Sequence, residues 1–153
     1  MTLAEALILR ADLQKRLAQV VARLSQNVMV QEGDVPAEDP AALLDEHAEL
    51  TRQLAALIPA IHRTNLDTRL ADGRTLTQAL TERDLLDGRL AVLRQTAENA
   101  SVQRQRFSGS EIRWVPAVNI RELQSQIDSL AKARRELDTA LQQANWLTQL
   151  QEG

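Results

Sequence analysis

The chain has 153 residues, 25% of them charged, and a formal net charge of -3, which bounds it to about one folded domain of ordinary composition. It contains no cysteine, so disulfide frameworks, thiolate metal sites and cysteine nucleophiles are excluded. Two Trp, one Phe and no Tyr leave the core to Leu, Ile, Val and Ala, which suits interdigitating helices better than a β-sandwich.

The first ten residues are apolar but lack a basic n-region, carry Glu5 and lead into a charged helical pattern, so they do not read as a signal peptide. From Leu3, the positions Leu3, Ala6, Arg10, Leu13, Leu17, Val20, Leu24 and Asn27 advance by threes and fours, which predicts one buried seam on a helix over about 3–30. "VQEGDVPAEDP" interrupts it with Gly33 and Pro36 and closes on Asp39-Pro40, an N-cap followed by proline at the first helical position. The second helix, about 40–65, has the seam Leu43, His47, Leu50, Leu54, Leu57 and Ile61. Pro59 lies inside it and predicts a kink or local break.

"RTNLDTRLADGRTLT", residues 63–77, is longer than a plain helix connection needs. Asp72-Gly73 signals a two-residue turn within a very short β-hairpin, or a plain loop with Gly73 left-handed. Thr75 with Gln78 makes a capping box, with Thr77 a competing cap, opening a third helix over about 76–106. Its stripe is Ala79, Arg83, Leu86, Leu90, Leu93, Ala97 and Ala100, and Ser108-Gly109-Ser110 ends it. "EIRWVPAV" alternates polar and apolar residues, so an extended segment is expected near 111–116. Asn119 with Glu122 is a second capping box, opening a fourth helix over about 120–150 along Leu123, Ile127, Leu130, Arg134, Leu137, Leu141 and Ala144.

The expected fold class is therefore all-α: a single domain, 1–153, forming an antiparallel up-down-up-down four-helix bundle of rods about 45 Å long. Leu7-Ile8-Leu9, Val20-Val21, Leu57-Ile58 and Leu85-Leu86 carry more apolar surface than one seam uses. That surplus predicts a homo-oligomer of closed symmetry, the alternative being a wide monomer core. Phe107, Glu111, Ile112, Trp114 and Val115, at the third joint, are candidate oligomer contacts. The same loop could instead fold back on its own bundle.

In an alternating topology the joint at 63–77 shares one end with both termini. Arg63, Thr64, Asn65, Thr68 and Asp72 are then expected near Glu5 and near Asn145-Trp146. Arg10 and Arg83 occupy seam positions, with Asp12, Asp84, Asp87 and Asp138 as prospective partners in a buried ion network that fixes register. The alternative is a small anionic ligand held by Arg63, Arg74 and Arg83.

No catalytic residue, cofactor or metal is expected. A di-iron bundle needs Glu-x-x-His pairs, but Leu44 and Pro59 stand three before His47 and His62, and two His fifteen apart lack zinc spacing. No phosphate loop, nucleophile elbow or dinucleotide fingerprint is present. The net negative charge argues against nucleic acid, with Lys132-Ala133-Arg134-Arg135 read as a solvated face. No run approaches the roughly 18 apolar residues of a membrane span, so a cytoplasmic location is expected.

"LAEALILRADLQKRL", "VQEGDVPAEDPAALL", "IHRTNLDTRLADGRTLTQALTERDLL", "SEIRWVPAVNIREL" and "RRELDTALQQANWLTQL" together resemble the septicolysin-like family of small bacterial helical proteins. The resemblance implies a helical, oligomeric bacterial protein and carries over no catalytic residue; His62 stands where relatives are expected to have Asn. The family label suggests a cytolysin, whose hidden apolar segment would be "LAALIPAI", 54–61, or residues 3–9. Both are too short to span a bilayer as helices, and neither has the Lys-rich face and aromatic anchors of an interfacial helix. The expected function is a self-assembling structural or scaffolding protein, with small-anion binding as the alternative.

Overall fold

The computed structural model describes residues 1–106 and 114–152. They form four long helices, α1 (Leu3–Asn27), α2 (Pro40–Asp67), α3 (Leu76–Arg106) and α4 (Ile120–Leu147), and the all-α class is as the sequence indicates. The only β-pairing among the described residues is two isolated antiparallel bridges, Thr2 with Gln149 and Arg69 with Thr75. The chain divides into two compact units, residues 1–68 with 144–153, and residues 69–143.

In the first unit α1 starts on a capping box. The Thr2 hydroxyl accepts from the Glu5 N–H at 3.2 Å and the Glu5 carboxylate accepts from the Thr2 N–H at 2.7 Å. That Thr-x-x-Glu signature stands in the sequence. The buried positions of α1 are Leu3, Ala4, Ala6, Leu13, Val20 and Asn27; those of α2 are Leu43, Leu50, Leu57, Ala60, Ile61 and Thr64. Most recur at seven residues, so each helix keeps one face against its neighbour, and each fully buried Leu contributes about 1.5–3 kcal/mol. The pair is antiparallel: Arg23, near the end of α1, reaches Glu46, near the start of α2, at 3.5 Å.

Helix α1 stops at Asn27, short of the expected Val30, because that side chain turns to the joint. Its Nδ2 donates to the Arg23 carbonyl at 2.8 Å and its Oδ1 accepts the Glu38 N–H at 3.0 Å. Gly33, at φ 90°, then supplies a left-handed turn residue. Asp39 caps α2 by accepting the Ala41 N–H at 3.1 Å, with Pro40 at the first helical position as expected. Helix α2 continues across the exposed Pro59 without the local break.

Residues after α4 return to the beginning of the chain. Leu3 N–H donates to the Thr148 carbonyl at 2.8 Å and Leu150 N–H to the Met1 carbonyl at 2.9 Å. Helix α4 consequently ends at Leu147 rather than 150, since the backbone beyond it pairs with residues 1–3.

In the second unit the hairpin at 69–75 closes around three residues, Ala71-Asp72-Gly73. Leu70 N–H donates to the Arg74 carbonyl at 2.8 Å and Gly73 N–H to the Leu70 carbonyl at 3.0 Å, with Gly73 at φ 89°. The two-residue turn is replaced because the left-handed glycine sits after the turn, as in a three-residue loop with a bulge. Of the two competing caps Thr75 is used: its hydroxyl accepts the Gln78 N–H at 3.1 Å and Gln78 Oε1 accepts the Thr75 N–H at 2.9 Å. Asn119 Oδ1 accepts the Glu122 N–H at 3.2 Å and opens α4. Leu76, Ala79 and Leu90 of α3 and Ile127, Leu137 and Leu141 of α4 are buried.

Candidate functional site

The second unit holds a chain of arginines and carboxylates between α3 and α4. Arg134 Nε donates to Asp87 Oδ1 at 2.9 Å, Arg134 Nη1 lies 3.3 Å from Asp138, and Arg83 Nη1 lies 3.5 Å from the same Asp138. The crossing of 83 with 138 and of 87 with 134 makes this pair antiparallel as well. All four side chains are partly exposed, so the network is half-solvated rather than the buried one expected. Asp87 is held below the usual carboxylate range, mainly by its hydrogen bonds from Arg134.

Beside it, Arg74 is occupied from two sides. Its backbone N–H and Nε each donate to Asp72 at 3.0 Å, and its guanidinium also engages Glu82. These bonds depress the Asp72 carboxyl and raise Arg74 further above its ordinary value. Asp72, Arg74 and Glu82 line a cleft of about 430 Å³ with Leu86, Ala133 and Leu137. An arginine with two carboxylates already in place has little positive potential left for an anion.

The first unit contains a larger open groove, about 700 Å³, lined by α1, α2 and the segment after α4. Leu9 and Leu13 of α1, Ala56, Leu57 and Ala60 of α2, and Leu150 line it. Arg52, Arg63 and Glu152 also line it. Arg52 is taken by Glu49, with bonds of 2.8 and 2.6 Å that lower the Glu49 carboxyl to about 2. Arg63 is exposed and makes no ion pair among the described residues.

The other residues of the candidate polar cluster divide between the units. Arg10 is half-buried on α1. Thr64 is fully buried, its hydroxyl donating to the Ala60 carbonyl at 2.8 Å and accepting the Gln151 N–H at 3.0 Å, so it ties α2 to the segment after α4. Asn65 is half-buried, Thr68 ends α2 by donating its N–H to the Thr64 carbonyl at 3.0 Å, and Asn145 and the exposed Trp146 lie in the last turn of α4. These belong to the first unit, whereas Asp72, Arg74, Arg83 and Asp138 belong to the second. Sequence reasoning missed Arg52, and its signal was the Glu49-x-x-Arg52 spacing on an exposed helical face.

Of the candidate oligomer contacts, Phe107, Glu111 and Ile112 lie outside the described residues. Trp114 and Val115 are exposed, are not helical, and line a 300 Å³ cleft with Thr96, Asn99 and Ala100 of α3, so this part of the loop runs beside its own unit. Among the described residues no group of three or more His, Asp and Glu side chains could hold a metal ion, and no helix is long and apolar enough to cross a membrane.

Fold and site together define an all-α protein of long antiparallel helix pairs, with a mostly apolar open groove in one pair and an ion-pair network in the other. Residues 10–150 match the Family of unknown function (DUF6847), and the chain belongs to that family. It is similar to a functionally unknown conserved protein from Corynebacterium diphtheriae, whose crystal structure matches at a TM-score of 0.93 with 39% identity over 99% of each chain. No curated protein matches the chain. The family match corrects the septicolysin-like resemblance, for which no link is found. The segments that suggested it contain the Asp39, Thr75 and Asn119 caps and the Gly73 turn, features that many unrelated helical proteins share for the same backbone reasons.

Proposed function

We propose that this protein is a self-assembling helical structural protein whose principal contact is the α1–α2 joint. The observation that carries the reading is an apolar tip. Val28, Met29, Val30 and Val35 are all exposed there, Met29 to 84% and Val35 to 86%. Gln31, Glu32 and Asp34 lie among them, which gives the patch a polar rim of the kind found at interaction sites.

The tip is also preorganised. Asn27 fixes Glu38, whose carboxylate accepts from Arg23 Nε at 3.1 and 3.0 Å, and Asp34 N–H closes a turn on the Gln31 carbonyl at 2.9 Å. A held loop loses little conformational freedom on association, so its apolar area counts more fully toward binding. Exposed Ile8, Val21, Leu85 and Val92 on the helix faces add to the surplus. A native mass spectrum tests the reading: multiples of 17.1 kDa are expected, and a lone 17.1 kDa species at every concentration contradicts it.

A further inference from the structure

We infer that the open groove lined by α1, α2 and the segment after α4 is a binding site for a small amphiphile with one carboxylate, its apolar body along Leu9, Leu13, Ala56 and Ala60 and its head on Arg63. The groove offers about 700 Å³, and its lining is mostly apolar with a few charged groups, as in sites for small organic molecules. Arg52 and Arg63 are eleven residues apart on α2, so the lined stretch of helix is about 16 Å long, room for an extended alkyl chain.

The charges select the head group. Arg52 is paired with Glu49, and the lining also holds Arg63, for which no ion pair is found among the described residues, together with Met1 and Glu152. Arg63 offers one planar guanidinium to a carboxylate, and the Glu152 charge in the same lining opposes a phosphate or nucleotide more strongly than a monoanion. The site is distinct from the apolar tip at residues 28–35, so it stands or falls separately from the assembly reading.

Titration calorimetry of the full chain with dodecanoate, kept below its micelle concentration, tests this. Saturable binding at one ligand per chain is expected. Arg63→Gln should weaken it about tenfold, the usual effect of losing a charge-assisted bond, and Glu152→Gln should strengthen it. Ala56 is exposed and lines the groove, so Ala56→Trp should abolish binding while the circular dichroism of the helices is retained. Dodecanol should bind more weakly than dodecanoate. Absence of saturable binding overturns the inference, as does binding that survives both Arg63→Gln and Ala56→Trp in folded protein.

Discussion

Two buried polar side chains illustrate how single residues tie segments together. Thr64 uses its hydroxyl as both donor and acceptor and so joins α2 to the segment after α4. Thr64→Val keeps the shape and loses both bonds. A loss of about 1 kcal/mol in urea denaturation is expected, with faster hydrogen exchange at Gln151. Asn27→Ala removes two bonds at the α1–α2 joint and should cost about 1–3 kcal/mol by the same measurement. Asn27 could be placed in the seam from spacing alone. Thr64 could not be read as a clamp, because its partner is 87 residues away and no local pattern encodes that pairing.

The charged pairs make stability depend on pH in a defined direction. Glu49, Asp72 and Asp87 each have a folded-state pKa depressed by an arginine hydrogen bond. The stability they confer is therefore complete above the unfolded carboxylate values of about 4 and is lost as pH falls through the folded values. Carbon-detected titration should place the Glu49 carboxyl at about 2 and, in Arg52→Gln, return it towards the ordinary glutamate range. An unchanged midpoint would show that the Arg52 contact is not its cause.

At the scale of elements, two glycines give opposite expectations. Gly88 lies inside α3 with open space where a Cβ would be, so Gly88→Ala should stabilise the protein by about 0.5–1 kcal/mol. Gly73 has φ +89°, so Gly73→Ala should cost about 1–2 kcal/mol although it meets no neighbouring atom. Thermal unfolding of both variants checks the pair. Helix positions were legible because Leu and Ala recur at threes, fours and sevens and because Asp39, Thr75 and Asn119 announce their helix starts. Endings were less so. α1 and the α4 terminus stop early for hydrogen bonds made to other segments, and helix propensity is silent about those. In the Leu7-Ile8-Leu9, Val20-Val21 and Leu85-Leu86 runs a more buried side chain stands next to an exposed one, as helical geometry requires of neighbours, and the exposed members form the surplus apolar surface.

For the whole molecule the family and its Corynebacterium diphtheriae neighbour establish the fold, while the proposed role rests on surface chemistry. Ion-pair braces and cap contacts were partly legible, since Arg83, Asp87 and Asp138 could be matched by height on their helices. The open groove was not, because its lining comes from α1, α2 and the segment after α4 together. At the apolar tip the rim is acidic, with Glu32 and Asp34, so copies meeting there repel until salt screens them. Association should therefore strengthen between low and moderate ionic strength. The most direct measurement is sedimentation velocity of the native chain beside Met29→Glu/Val35→Glu, over a hundredfold range of concentration. The account predicts an oligomer for the native chain and a 17.1 kDa monomer for the folded double variant. Identical sedimentation of the two proteins would contradict it.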